Sequence, residues 1–160
     1  DEIESVLSRS VQSLERIRSV EVRHLAHLLT PNFDAGGLKT ALDLLVSQYK
    51  SSMEIDLKID ESSGNFNDEV CLGIYRIVEQ ALLNALLHGP AKRVLVSLSY
   101  TREKTIHLEV SDDGPGIPQG DSATGVGTAV IDSWVGILNG KKTVESQPGH
   151  GYRLQVEFSK

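Results

Sequence analysis

Cysteine is almost missing from this chain: Cys71 stands alone among 160 residues, which excludes an internal disulfide. Its apolar neighbours mark it as a small buried residue. A basic surface is missing too, since lysines and arginines are scattered and the formal net charge is −6, giving no support to a nucleic-acid partner. No apolar run approaches the roughly 18 residues of a membrane span, and no signal-peptide pattern opens the chain. Internal repeats and low-complexity tracts are absent. So is an initiating methionine: the sequence begins at Asp1, within what reads as a helix, so a piece of a longer polypeptide is expected.

What is present is ordinary for a soluble globular domain with an appendage: 39% hydrophobic and 24% charged residues. Residues 1–29 place Ile3, Val6, Leu7, Val11, Leu14, Ile17, Val20, Leu25 and Leu28 mostly three or four apart, predicting a long amphipathic helix with a bundle-type seam. Thr30 and Pro31 end it. Asp34 is placed to cap a second helix, with a periodic pattern reaching Ser51. MEIDLKID alternates as a strand, and Asn67 caps a third helix reaching about His88, closed by Gly89 and Pro90. RVLVSLSY and KTIHLEV read as strands joined by the hinge TRE. A helix from about Gly127 to Leu138 follows, and then two strands, KTVESQ and YRLQVEF, around the turn PGHG. Several strands adjoin without a crossover helix, so the class is α+β with a mixed sheet.

Three stretches could carry chemistry. On the third helix, Gln80, Asn84 and His88 are spaced four apart and share one stripe. Any surface helix can border its core face with polar residues, but Asn is a poor mid-helix residue, and its amide oxygen suits a hard cation such as Mg²⁺. His88 has a plainer account as an imidazole in the last turn, complementing the helix dipole. In TGVGTAVIDSW, Gly125 and Gly127 open a helix, where free N–H groups favour a phosphate; the alternative is a plain glycine turn. A dinucleotide fingerprint fails because Val130 stands where a third glycine is needed. GILNGKKT fails as a P-loop: it is one residue short and precedes a strand. Finally, SDDGPGIP (Ser111 to Pro118) ends a strand; it is a hairpin corner, or a place where Gly114 and Gly116 let a ligand approach and Asp112 meets an adenine amino group. Asp113 is expected to face solvent.

RIVEQALLNALLHG, SDDGPGIP, TGVGT and PGHGY stand in the order and approximate spacing of the asparagine box, two glycine boxes and a terminal glycine box. In this the chain resembles the catalytic, ATP-binding domain of bacterial two-component sensor histidine kinases, within the GHKL ATPase superfamily. Upstream, VRHLAHLLTPNFDAGGLKTALDLLVSQYKSSMEIDLKID resembles the end of a dimerisation helix hairpin leading into the ATPase sandwich. The resemblance implies a two-layer α/β sandwich: a mixed sheet with helices on one face, preceded by a long helix. Residues 1–30 would belong to the hairpin and 31–160 to the ATP-binding domain. Asp112 would accept the adenine amino hydrogen, with Gly114, Gly116 and Ile117 shaping the base pocket. Asn84, with Gln80, would hold Mg²⁺ against the triphosphate. Gly125, Val126, Gly127 and Thr128 would meet the phosphates, with His88 beside the nucleotide and residues 119–124 as a short lid. The implied activity is protein histidine kinase, in a cytoplasmic homodimer built on residues 1–29, passing phosphate to a response regulator.

Departures from that family accompany the match. It usually carries Glu where Gln80 stands, often Lys at Leu87, and Thr at Tyr152. Gln80 cannot act as a base, although its oxygen can ligate Mg²⁺. His24 and His27 are each followed by Leu, not by the acid that marks a phosphoacceptor, so this stretch is not expected to phosphorylate itself. Two other readings stay open: an anti-sigma-type serine kinase, which lacks the hairpin, and a degenerate nucleotide-binding or scaffolding module, favoured by Gln80 and Leu87.

Overall fold

The computed structural model describes residues 31–34, 36–60, 66–88, 91–118 and 126–159. The chain divides between Pro31 and Asn32 into two units, and the second is the one described here. The helix, dimer seam and histidines expected in residues 1–30 lie outside the described residues.

Helix α1, Gly37–Ser47, opens after Gly36 and Gly37, both in the left-handed region at φ 109° and 70°. The cap expected at Asp34 is therefore corrected. No side chain caps α1, and Asp34 N–H instead donates to Asn32 Oδ1 at 2.8 Å. Two consecutive left-handed glycines turn the chain after Asp34, so the helix begins three residues beyond it. Nor does α1 reach Ser51. From Gln48 the bonds tighten to i→i−3, with Gln48 N to Leu45 O and Tyr49 N to Val46 O, which tucks the Tyr49 ring fully inside.

Strand β1 (Glu54–Ile59) leads to α2 (Asp68–Leu87), where Asn67 caps as expected by accepting from Val70 N–H at 2.9 Å. Asp68 and Glu69 add negative charge to the first turn, where the helix dipole favours it. Strands β2 (Arg93–Tyr100) and β3 (Thr105–Asp112) form a hairpin whose turn includes Lys104 at φ 65°, so β3 starts one residue later than alternation suggests. Helix α3 (Val126–Ile137) is followed by β4 (Lys141–Ser146) and β5 (Tyr152–Ser159).

The sheet order is β1-β2-β3-β5-β4, with β1 and β2 parallel and the other pairs antiparallel. Period-two alternation sends Val94, Val96 and Leu98, then Ile106, Leu108 and Val110, then Leu154, Val156 and Phe158 to one buried face. Leu42 and Leu45 of α1, Ile74, Ile77, Val78 and Leu82 of α2, and Ile131 of α3 cover it. Each such side chain contributes about 1.5–3 kcal/mol by leaving water. Cys71 is buried here as expected, and burial, helped by Asp68, pushes its thiol up from the usual range. The opposite sheet face is polar: Gln155 Nε2 donates to Glu109 Oε2 at 3.0 Å, and His107 Nδ1 lies 3.2 Å from Glu157 Oε1. The fold is thus a two-layer α+β sandwich with its helices on one face.

Candidate functional site

Chain direction places the candidate residues at one end of the sandwich. Helix α2 runs out at Leu87, and the chain enters β2 at Arg93, whose neighbour Val94 pairs with Asp112 at the end of β3. The last turns of α2 and the end of β3 therefore share the same rim.

On α2, Gln80 and Asn84 are half-buried, whereas His88 is exposed at the C-cap. The first turn of α3 sits on that stripe. A β-carbon at Gly127 would stand 2.7 Å from Asn84 Oδ1 and 3.1 Å from Gln80 Oε1, so only glycine leaves both amides in place. The two amide oxygens converge on one point beside a helix N-terminus, where unpaired N–H groups favour an anion. Neutral amide oxygens are chemically suited to Mg²⁺, a hard ion that takes oxygen ligands and keeps several waters. Among the described residues no cluster of three His, Cys, Asp or Glu could hold a metal instead. Thr128 is half-buried in the same first turn, and Val126 opens the helix. Gly125 and residues 119–124 lie outside the described residues. Leu87 presents an apolar side chain, 48% exposed, on the last turn of α2.

Asp112 occupies the end of the buried face of the sheet, between Val94 and Tyr152. Its Oδ1 accepts Gly114 N–H at 2.8 Å, and the Tyr152 N–H also points to the carboxylate. Burial is the largest influence and pushes its pKa above the usual carboxylate range, with Asp113 adding to the rise; the two N–H groups only partly offset it. Asp113 behaves in the opposite way. It faces outward, as expected, but its Oδ1 accepts both Arg93 N–H at 2.9 Å and Lys92 N–H at 2.8 Å. These bonds, with Arg93 Nε at 3.4 Å from Oδ2, pull its pKa below the usual range.

The loop after Asp112 is locked onto the β4–β5 turn. Gly116 has φ 70°, and a β-carbon there would run into Gln147 O and come within 2.8 Å of Gly151 O. Gly151 has φ 79°, and a β-carbon there would run into Asp112 O. Gly149 N–H donates to Pro115 O at 2.7 Å. Ser146 Oγ accepts Ile117 N–H at 2.8 Å while donating to Gly151 O at 2.9 Å. The two proline- and glycine-rich loops are therefore one wall, which explains why so many backbone-specialised residues crowd together. Gly114 is buried at its base, and Ile117 is half-buried within it.

Two contributors escape sequence reasoning, and a third, Tyr152, shows there only as a departure from the resembled family. Ser146 ties the loops together, Asp113 grips the start of β2, and half-buried Tyr152 shares a sheet row with Asp112 and Ser146. Burial, then Asp112 and Asp132, push the Tyr152 phenol up. The register of the hairpin around PGHG is the one signal that could have found Ser146 and set it beside Tyr152.

One end of the mixed-sheet sandwich thus gathers an acid at the sheet end, a glycine-built loop wall and a helix start seated on an asparagine. Residues 69–160 match the family described as histidine kinase-, DNA gyrase B- and HSP90-like ATPase, and the chain belongs to that family. Membership implies ATP as its ligand. The chain is similar to the oxygen sensor histidine kinase NreB of Staphylococcus carnosus, being 30% identical over 97% of its own length and 44% of the relative's. It is likewise similar to the sensor histidine kinase ComP of Bacillus subtilis, 28% identical over 97% of this chain and 21% of that protein. The chain thus spans less than half the length of either relative. Among solved structures, the histidine kinase domain of the Erythrobacter litoralis EL346 blue-light activated histidine kinase superposes with a TM-score of 0.67 at 18% identity, covering 76% of this chain and 60% of that one. That likeness is one of fold.

Proposed function

We propose that residues 31–160 are the ATP-binding catalytic domain of a sensor histidine kinase, which delivers the γ-phosphoryl of ATP to a histidine on a helical hairpin. Residues 1–30 belong to the end of that hairpin and pair two copies of the chain through the 1–29 helix. The phosphorylated histidine then serves a response regulator, and the domain works on the cytoplasmic side. The observation that carries this reading is the seat of α3 on Asn84 and Gln80, made possible by Gly127.

In this reading Asp112 accepts the adenine amino hydrogen, and Gly114, Gly116 and Ile117 shape the surrounding wall. Gly125, Val126, Gly127 and Thr128 bring helix-start N–H groups to the phosphates, and His88 lies beside the nucleotide. Asn84 and Gln80 would hold Mg²⁺ through their amide oxygens, and the bound ion would supply positive charge against the phosphates. Holding the γ-phosphoryl in line with the acceptor imidazole supplies most of the acceleration. Gln80 contributes an oxygen but cannot take a proton, so the wild-type rate is low.

The test is phosphorylation of a separately supplied hairpin domain carrying an acceptor histidine, at saturating ATP and Mg²⁺. Mg²⁺-dependent labelling of that histidine is expected. ATP binding without any transfer would favour a nucleotide-binding scaffold, a reading that Gln80 and the exposed apolar Leu87 would then explain.

A further inference from the structure

The β2–β3 ladder ends at the Val94–Asp112 pair, yet the strands stay joined one residue further. Asp113 N–H donates to Arg93 O at 3.2 Å, while its own Oδ1 takes the N–H groups of Lys92 and Arg93 at 2.8 and 2.9 Å. One carboxylate oxygen thus satisfies two backbone donors that would otherwise open to solvent at the strand start. Its second oxygen lies 3.4 Å from Arg93 Nε. Immediately before this clamp stands Asp112, and immediately after it the chain turns so that Gly114 N–H reaches back to Asp112 Oδ1 at 2.8 Å. Two N–H groups hold the Asp112 carboxylate: that of Tyr152 comes from β5, and that of Gly114 comes from the turn that follows the peptide fixed by Asp113.

We propose that Asp113 is a positioning residue for base recognition: its clamp on Lys92 and Arg93 aims the Asp112 carboxylate at the nucleobase, without touching the nucleotide. This rests on the reading of Asp112 as the acceptor for the adenine amino group. A residue that merely stabilised the fold would weaken all nucleotides alike. A residue that aims Asp112 governs the difference between ATP and a purine riboside triphosphate lacking the amino group.

The experiment is calorimetric titration of the whole chain with each triphosphate in Mg²⁺. The wild type is expected to prefer ATP. D113A should lower ATP affinity about tenfold, the scale of one lost hydrogen bond to a charged group, and leave the purine analogue nearly unchanged. D113N should restore the preference, because its amide oxygen can accept the same two N–H groups. If D113A does not fold, D113E carries the same expectation, since the extra methylene moves the carboxylate off both donors. An unchanged ATP preference in D113A or D113E, or equal loss of both ligands, overturns the proposal. A wild type that binds both ligands equally overturns the reading of Asp112 itself, and the proposal with it.

Discussion

Gly127 seats α3 directly on Asn84: a β-carbon at position 127 would stand 2.7 Å from Asn84 Oδ1 and 3.4 Å from its Nδ2. The obstructing atoms are ends of side chains, so they can swing aside at little cost to folding. Gly127→Ala also gains some helix propensity, less than the about 0.5–1 kcal/mol of a mid-helix site because it lies in the first turn. The variant should therefore melt at the same temperature as the wild type or slightly higher. Its affinity for Mg²⁺-ATP should fall about tenfold, because the displaced amide no longer faces the phosphates. Differential scanning fluorimetry and calorimetry measure the two effects separately. Parallel loss of stability and affinity would show that Gly127 matters only for packing.

Gly151 presents the opposite case, since its obstruction is backbone: φ is 79°, and a β-carbon would run into Asp112 O. Gly149 shares that φ but faces open space. Gly149→Ala should cost about 1–2 kcal/mol, the ordinary left-handed penalty. Gly151→Ala should cost clearly more, because β5 must also move away from β3. Urea denaturation of both variants decides it, and equal costs would mean that the two loops are less tightly joined than described.

The two neighbouring acids predict opposite pH responses. Asp112 is raised mainly by burial, so folded protein holds that proton more tightly than unfolded chain. Its contribution to stability is present below the ordinary carboxylate value, about 3.9, and is lost as pH rises through the raised folded value. Asp113 is lowered mainly by the Arg93 N–H, so its contribution is present above about 3.9 and is lost as pH falls through the lower folded value. For binding, the preference for ATP over purine riboside triphosphate should weaken on acidification at a pH above about 3.9, as Asp112 takes up its proton. Titrating both ligands between neutral and mildly acid pH tests this; a preference that holds unchanged until the fold is lost would contradict it.

Local signals carried much of the sequence reading. Asn67 before an apolar period of 3.6, strands alternating with period two, Gln80 and Asn84 on one stripe within a helix, and Asp112 at the end of a strand were all legible within a few residues. Asp34 misled because cap propensity is weaker than two left-handed glycines that redirect the chain. Asp113 and Ser146 stayed hidden for a different reason. Their partners lie 20 and 29 residues away, and only the sheet register brings them into contact. Gln80 was visible as a departure, but its shared point with Asn84 depends on where α3 lands.

At Gln80 a carboxylate in place of the amide would add negative charge beside Mg²⁺ and a group able to orient or deprotonate a nucleophile. Gln80→Glu should raise transfer to a supplied hairpin by about 10²-fold. Single-turnover labelling at saturating ATP provides the measurement. No gain would shift the limitation to another position, with Leu87 on the adjoining last turn of α2 the next to change.

The central claim is that Asp112 and the α2–α3 stripe form an adenine nucleotide site, and calorimetric titration of wild type and Asp112→Asn with Mg²⁺-ATP tests it most directly. The substitution keeps the shape but allows the new amide to present a donor to the adenine amino group, which should cost roughly 1–3 kcal/mol of binding. Saturable binding to the wild type, weakened to that extent in a variant that melts no lower than the wild type because its buried side chain carries no charge, is the predicted result. Equal affinities in the two proteins, or no binding by the wild type, would contradict the account.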